Sequence, residues 1–408
     1  AFFAAFLKEQ EERYNRESST LADISIEIGN IEAAWRWTTQ LGDAATALPL
    51  CTGLFFIGDM WGWLGLVQPL FVQGVETLQA HLRAEEQEPT QLDAIAILIA
   101  RILHAQGSLL MRRGRLSAAF ACARQAEAFA RQAERSPPQT FALIYARSLR
   151  AIILGMRNEF DESERIFREE QIPYWETATT SEFQGPDFSL GNAYMGLGAI
   201  LVARGHYNAA RQVLERSLAV KERSGEFRFR ALTYSFLARA YAGQGRCTEG
   251  LDAAVEGERL SREFDDRFSL SSALVTTGRL LLANDKVNAA RRRCLEAMEV
   301  AEETGNRFIL AWARIWLANV ALAEKRVTEA TSLATDALAL YQREEMESID
   351  LLSEILLAQG KCALAAGQPE AAEESFRRMQ ALPRCSAPYR QAAEEALAAV
   401  QAGRAFET

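Results

Sequence analysis

The chain has 408 residues, of which 49% are hydrophobic and 24% charged, and its formal net charge is −9 at pH 7. Such a chain is too long and too apolar for disorder, and it exceeds the size at which one compact core keeps growing, so we expect several domains or an elongated repeat array. The negative charge argues against a surface for nucleic acid or acidic membrane, and a composition rich in good helix formers predicts an all-α protein.

The N-terminal region, residues 1–88, predicts helices that do not follow the repeat found further along the chain. The segment SSTLADISIEIGNIEAAWRWTTQLGD carries an apolar stripe at helical spacing, formed by Ile24, Ile28, Ile31 and Trp35. Gly42 is placed to end this helix and Asp43 to cap the next one. Trp37 lies on a different side of the helix from Trp35, so we expect the two tryptophans to have different neighbours.

The most apolar segment, LPLCTGLFFIGDMWGWLGLVQPLF, predicts two packed helices because Asp59 and several glycines interrupt it. No uninterrupted apolar run in the chain reaches the roughly 18 to 20 residues that span a bilayer, and no membrane partner is expected. The aromatic residues of this segment are either core or an exposed patch for a partner: Phe55, Phe56, Trp61 and Trp63.

From residue 89 to residue 408 a pattern repeats about every forty residues. A small residue recurs at separations of 44, 47, 40, 40, 40 and 42 residues, at Gly107, Ala151, Gly198, Ala238, Gly278, Ala318 and Gly360. Twelve residues after each of these lies a second small residue, at Ala119, Ser163, Ala210, Gly250, Ala290, Ala330 and Ala372. Because two helices approach to about 8 Å only where the crossing side chains are small, each unit is predicted to be a hairpin of two helices.

The pattern resembles the tetratricopeptide repeat, as in GLGAILVARGHYNAARQVLERSL, where a turn with glycine at position 205 is followed by the plug residue Tyr207. The resemblance implies a right-handed α-solenoid whose concave surface is lined mainly by the first helix of each unit. The final segment, YRQAAEEALAAVQAG, is predicted to be a capping helix.

The largest gap between units contains QIPYWETATTSEFQGPDFSL, residues 171–190, where prolines and glycine interrupt the helical pattern. One interpretation is a simple loop insertion. The alternative is a flap that carries Tyr174, Trp175 and Phe183 over the groove, since long loops on rigid arrays often carry function.

The series FFAAFL, ADISIEIGNIEAAWRWTTQLGD and forty-residue repeats resembles the region that follows the ATPase and winged-helix modules of bacterial STAND signal-transduction ATPases, including large ATP-dependent LuxR-type activators. The resemblance implies a sensor that binds an inducer or a partner and relieves inhibition of an adjacent ATPase module. It also implies that Trp37, or the face formed by Phe2, Phe3 and Phe6, packs on that module. ATP is expected only there, because no GxxxxGK[ST] phosphate loop occurs in this chain.

Motifs for catalysis and metal binding are missing from the sequence. The three histidines, His81, His104 and His206, have no paired metal-ligand spacing, and no GxSxG motif occurs. The six cysteines show no CxxC spacing, which predicts reduced thiols in helices and a cytoplasmic protein. We therefore expect no enzyme activity, metal or cofactor in this chain.

One position past each crossing residue normally faces the concave side in such repeats. In the last four units this position holds a polar ladder of Arg239, Arg279, Asn319 and Lys361. In an acidic protein such a stripe is a candidate for carboxylate or phosphate recognition. The alternative is that these side chains pair with Asp and Glu of adjacent units or meet solvent.

Other groove candidates lie near the ladder, and Trp312 among them either stacks on a ligand ring or wedges between units. The full candidate set is His104, Ser108, Arg112, Ser148, Ser235, Arg239, Arg279, Trp312, Asn319 and Lys361. The favoured function is a non-catalytic sensor or regulatory module that binds a protein, a peptide or a small effector in its groove. The alternative is a free-standing scaffold or peptide receptor, and an enzyme is the third possibility.

Overall fold

The computed structural model describes residues 2–14, 21–84, 88–133, 136–179, 186–224 and 229–402. Every regular element within these ranges is a helix, which confirms the all-α prediction. Four helices come first: α1 (Phe2–Tyr14), α2 (Leu21–Gln40), α3 (Ala44–Trp61) and α4 (Leu64–Leu82).

Seven helical hairpins follow, each with a first and a second helix. Units 1 to 3 are α5 (Pro89–Arg112) with α6 (Leu116–Gln132), α7 (Pro137–Met156) with a second helix that starts as α8 (Phe160–Arg165), and α10 (Pro186–Ala203) with α11 (Tyr207–Arg223). Units 4 to 7 are α12 (Arg230–Gly243) with α13 (Cys247–Glu263), α14 (Arg267–Ala283) with α15 (Val287–Glu303), α16 (Arg307–Ala323) with α17 (Val327–Arg343), and α18 (Ile349–Ala365) with α19 (Pro369–Gln380). The capping helix α20 (Ala387–Gln401) packs on unit 7, as predicted.

The small residues lie at the helix crossings, as the sequence predicts. Gly360 and Ala372 are both buried, and a Cβ atom added to Gly360 would overlap the fully buried ring of Phe376. Seven positions after each crossing residue, the turn adopts positive φ, which is 79° at Gly114, 58° at Asn158 and 62° at Lys325. Because glycine and asparagine tolerate this conformation best, the glycines of the sequence pattern mark the turns.

The described part of the 171–190 segment, residues 171–179 and 186–190, is mostly helical. After α8 the chain passes through a π-helical turn (Ile166–Gln171) into α9 (Ile172–Thr177), so the second helix of unit 2 continues where a loop was expected. Trp175 is buried and stacks on Phe141 with ring centroids 6.2 Å apart. The prediction of a flap is wrong for Trp175, because a buried core side chain cannot cover a groove, and Phe183 lies outside the described residues.

The N-terminal helices pack directly on unit 1, since one apolar cluster runs from Ala4 in α1 to Ala146 in α7. Within it Trp35 is 1% exposed, donates its indole N–H to the Leu70 carbonyl at 3.0 Å and lies edge-on to Phe71. Trp37 is 64% exposed, which confirms that the two tryptophans have different surroundings. The Asp43 carboxylate accepts the Thr46 N–H at 3.1 Å and so caps α3, as predicted.

The aromatic residues of the apolar segment lie in the core where their side chains are described. Phe56 is buried, and Phe55 and Trp63 are half-buried against the same N-terminal cluster. Helix α5 is long and apolar enough to cross a membrane by length and composition. However, 78% of its most apolar window is buried inside the protein, as in the core helix of a solenoid.

The solenoid closes on itself, because the turns of the α3–α4 pair, unit 1 and unit 2 each meet the loop that ends the unit five places later. Gly62, in the α3–α4 turn, lies against Thr304 at the end of unit 5. Further along the chain, the Glu347 N–H donates to the Gly114 carbonyl at 3.1 Å, and this hydrogen bond joins units 1 and 6. Then the Asn158 amide donates to the Arg384 carbonyl at 3.0 Å, joining units 2 and 7.

Closure has a direct consequence for the predicted concave surface. We call the line of contacts between turns and later loops the seam. Because the seam joins the start of the array to its end, the first helices line an enclosed interior, in which the polar residues Ser108, Asn319 and Glu354 are buried.

Candidate functional site

Several charged side chains of α12, α14 and α18 lie near one another in the interior, with α20 beside them. Arg239 on α12 and Arg279 on α14 occupy the position one past the crossing, and both side chains are half-buried. Each guanidinium lies against an aromatic ring of the same face: Arg239 is 5.8 Å from the Phe236 ring centroid and Arg279 is 5.0 Å from the Trp316 ring centroid. The two positive charges are close enough to repel each other.

Lys361 on α18 completes the basic side of this interior cluster, and two carboxylates accompany it. Glu354 lies seven residues before Lys361 on the same helix, is buried, and accepts a hydrogen bond from the Tyr389 hydroxyl at 2.6 Å. Asp350 accepts hydrogen bonds from the Asn158 amide and the Ser386 hydroxyl, both at 2.9 Å. The cluster is thus tied to the seam through Asp350.

Enclosure within the protein changes the protonation equilibria of these groups. Burial, and then the neighbouring charge of Arg279, lower the pKa of Arg239. Burial also lowers the pKa of Lys361, although Glu354 opposes this effect. Burial raises the pKa of Asp350, while the hydrogen bonds from Asn158 and Ser386 lower it. Because placing charges in such surroundings is costly, ordered charged groups here are candidates for binding.

Other predicted site residues are already engaged by the protein. Arg112 lies at the seam, where it forms an ion pair with Asp59 of α3 and its guanidinium stacks 3.5 Å from the Phe268 ring centroid of unit 5. His104 is half-buried between the rings of Phe55 and Tyr145, at centroid distances of 6.3 and 5.9 Å. Burial, and then the charge of Arg101, lower the pKa of His104 to about 3, so its ring is neutral near pH 7.

Three predicted polar side chains form hydrogen bonds with backbone carbonyls of their own helices. The hydroxyls of the buried residues Ser108 and Ser235 donate to the carbonyls of His104 and Ala231, and the Asn319 amide donates to the Ile315 carbonyl at 3.1 Å. The structure therefore does not present these groups on an open groove. Ser108 and Asn319 lie at the ladder position itself, where their short side chains bond to the helix backbone, whereas Ser235 lies four positions before the ladder.

The two remaining candidates lie outside the interior charge cluster. Ser148 is half-buried on α7. Trp312 is half-buried and packs against the apolar clusters of units 5, 6 and 7, which agrees with the wedge interpretation. Of the ten candidates, the structure brings Arg239, Arg279 and Lys361 together.

Sequence reasoning missed the acidic and phenolic members of the cluster, Asp350, Glu354 and Tyr389. A signal for Glu354 existed, because a residue seven before Lys361 shares its helix face, and Asp350 lies four residues before Glu354. Tyr389 carried no such signal, since α20 joins the cluster only through tertiary packing. Among the described residues, no group of three or more His, Cys, Asp or Glu side chains is arranged to hold a metal ion.

Comparison with known proteins supports the repeat fold. The tetratricopeptide repeat model matches residues 190–224, which span α10 and α11 of unit 3. A sequence comparison with curated proteins found no significant match. The chain is similar in structure to a Rap protein complexed with Competence and Sporulation Factor, at 13% identity and a TM-score of 0.57, with 91% of this chain and 99% of that chain covered.

Two further solved structures are similar. One is the Rap conjugation gene regulator of the plasmid pLS20 in complex with the Phr* peptide, at 12% identity and a TM-score of 0.58, covering 86% of this chain and 96% of that one. The other is a STAND protein with a tetratricopeptide repeat sensor from Pyrococcus horikoshii, at 15% identity and a TM-score of 0.46, covering 82% of this chain and 49% of that one. The last score is too low to support an argument. At these identities the first two comparisons show the fold alone, which is a tetratricopeptide-like helical solenoid.

Proposed function

We propose that this chain is a non-catalytic sensor or regulatory module that binds a peptide or a small effector inside its closed solenoid. The observation that carries the proposal is the interior cluster of Arg239, Arg279, Lys361, Glu354 and Asp350. Five charged groups held together inside a solenoid contribute little to stability, because their desolvation opposes their mutual attraction. Recognition of a ligand is a physical reason to keep them there.

The fold supports a peptide as the ligand. The similar Rap regulator of plasmid pLS20 is a complex with the Phr* peptide, and the proposal extends that kind of ligand to this chain. First helices stacked in register present side chains at regular intervals, which suits an extended peptide better than a compact reaction centre. We propose no enzyme activity and no cofactor for this chain.

Peptide selection tests this function directly. Native protein is mixed with a synthetic pool of random hexapeptides with free termini, separated by size exclusion, and the retained peptides are identified by mass spectrometry. We expect the native protein to retain a subset of the sequences. The same protein unfolded in urea should retain none of them. A retained fraction with the composition of the starting pool would contradict the proposed function.

The wider context is also a proposal. We propose that the chain acts in the cytoplasm beside the ATPase module of a STAND-type regulator, with ATP bound only in that module. Helix α2 supports this, because Ile26 and Trp37 on its outer face and Leu41 directly after its end are 77%, 64% and 55% exposed. Phe2 is also exposed, whereas Phe3 and Phe6 are half-buried against the N-terminal core.

The alternative is a free-standing scaffold or peptide receptor without an ATPase. The exposed apolar face of α2 then serves a separate protein partner. The reading frame upstream of this segment distinguishes the two. A phosphate loop and a winged helix there would support the STAND context, whereas a start codon directly before Ala1 would support the scaffold.

A further inference from the structure

Within the described residues Arg239 and Arg279 have no acidic partner, unlike many arginines of the outer surface. Outer arginines pair across units, as Arg291 does with Glu324 at 2.9 Å and Arg204 with Glu164 at 2.9 Å. Within the described residues, Arg239 and Arg279 make no hydrogen bond and no ion pair with a carboxylate, although both side chains are half-buried. The expectation that they pair with acids of adjacent units therefore does not hold for these two residues.

The acidic groups nearby are already occupied. Glu354 accepts the Tyr389 hydroxyl at 2.6 Å, and Asp350 accepts from Asn158 and Ser386. These hydrogen bonds hold both carboxylates in place. Neither carboxylate forms a hydrogen bond or an ion pair with Arg239 or Arg279 within the described residues.

The geometry of the two arginines favours a planar anion. Each guanidinium lies near an aromatic ring, Phe236 or Trp316, and is a planar group whose N–H donors form a rigid fork. A carboxylate accepts two parallel hydrogen bonds from such a fork. Two forks from neighbouring units, α12 and α14, are therefore suited to hold one carboxylate between them.

The net charge of the cluster favours a ligand group that carries a single negative charge. The cluster has three cations, Arg239, Arg279 and Lys361, and two carboxylates, of which Asp350 attracts Arg239 and Glu354 attracts Lys361. One added carboxylate brings this set to neutrality. A doubly charged phosphate would exceed the net positive charge of this set.

We propose that Arg239 and Arg279 together bind one carboxylate of the ligand, supplied by the C-terminus or by an acidic side chain of a peptide. This inference rests on the proposed function of ligand binding in the interior. It specifies the chemical group that the interior recognises and the two residues that recognise it.

The experiment takes one hexapeptide retained from the random pool and measures its Kd by calorimetry. The peptide is compared with its C-terminal amide and with versions in which Asp or Glu is replaced by Asn or Gln. Neutralising the recognised carboxylate is expected to weaken binding about 10- to 100-fold, as is Arg239→Gln or Arg279→Gln. In the Arg239→Gln, Arg279→Gln double variant the same neutralisation is expected to change Kd less than twofold.

Controls separate recognition from folding. Arg292 is exposed on the outer side of α15, so Arg292→Gln is the matched variant and is expected to leave Kd unchanged. Circular dichroism of each variant reports whether the helices are intact. If the wild-type protein binds every neutralised peptide as tightly as the parent, the carboxylate proposal fails while the proposed function stands.

A second probe does not depend on finding a peptide. Sodium acetate is titrated against ¹⁵N-arginine-labelled protein at constant ionic strength, with sodium chloride and sodium phosphate as the other arms. We expect saturable shifts of the Arg239 and Arg279 Nε signals with acetate, assigned from the two Gln variants. No shift with acetate, or tighter binding of phosphate than of acetate, would overturn the proposal.

Discussion

The Arg113 guanidinium lies 3.0 Å from the Glu344 carboxylate. This ion pair joins the turn between α5 and α6 in unit 1 to the loop that ends unit 6. These residues are 231 positions apart in the chain. A second pair, Arg115 and Glu345, lies beside it at 2.8 Å but is much more exposed. The seam thus offers two ion pairs of the same chemistry in different surroundings.

The less exposed pair is predicted to contribute more to closure. We expect Glu344→Gln to lower the free energy of unfolding by about 0.5 to 1.5 kcal/mol, and Glu345→Gln by no more than about 0.5 kcal/mol, because solvent screens the outer pair. Urea unfolding measures both values, and small-angle X-ray scattering measures whether the radius of gyration grows for Glu344→Gln. Equal losses for the two variants would contradict the prediction.

The Gly360 crossing is predicted to tolerate no side chain. Because a Cβ at this position would overlap the buried Phe376 ring, we expect Gly360→Ala to destabilise the protein by about 1 to 3 kcal/mol. Gly29, on the exposed side of α2, has nothing within 4 Å of an added Cβ, so Gly29→Ala is the matched control. It should stabilise the protein by about 0.5 to 1 kcal/mol, since alanine loses less entropy in a helix. Thermal and urea unfolding of the two variants test this difference in sign.

Trp35 and Trp37 are predicted to have opposite sensitivity, although they are two residues apart. Trp35→Ala removes a fully buried side chain and should cost about 3 to 5 kcal/mol. Trp37→Ala removes an exposed one and should change stability by less than about 0.5 kcal/mol. Urea unfolding gives both values. In the folded protein, iodide should quench the fluorescence of Trp37 and not that of Trp35, as seen by comparing the two variants with the wild type.

His104 is predicted to lower stability as the solution becomes acidic. Its pKa in the folded protein is about 3, below the roughly 6.5 of an unfolded chain. Below pH 6.5 the unfolded chain binds a proton at this residue that the folded protein does not. The contribution of His104 to stability is therefore lost between pH 6.5 and pH 3, and the unfolding free energy falls by up to about 1.4 kcal/mol per pH unit.

The test compares the wild type with His104→Gln across this range. The wild-type unfolding free energy should fall more steeply with decreasing pH than that of the variant, because carboxylates contribute equally to both. NMR of the imidazole carbon protons should show no titration of His104 between pH 8 and pH 4.5. A midpoint for this ring near pH 6.5 would show that its surroundings are not as the structure describes.

The sequence by itself determined the architecture of this protein. Small residues such as Gly360 and Ala372 recur at fixed separations, and their consequence is local, because each pair needs only its own two helices to form a crossing. The same reasoning placed Arg239 and Arg279 on the inner face, since one position past the crossing is set by helix geometry alone. The capping of α3 by Asp43 was readable for the same reason.

Only the tertiary structure decided which of the inner residues meet one another. The rotation from one unit to the next is small, but over five units it brings the α7–α8 turn onto the loop after α19. The sequence pattern of a single unit does not specify this summed rotation. Closure therefore brought Arg112 to Phe268 and Asn158 to Asp350, whereas packing of neighbouring helices brought Arg112 to Asp59 and Tyr389 to Glu354. Local periodicity specifies the hairpin, whereas the contents of the interior depend on angles summed over the whole array.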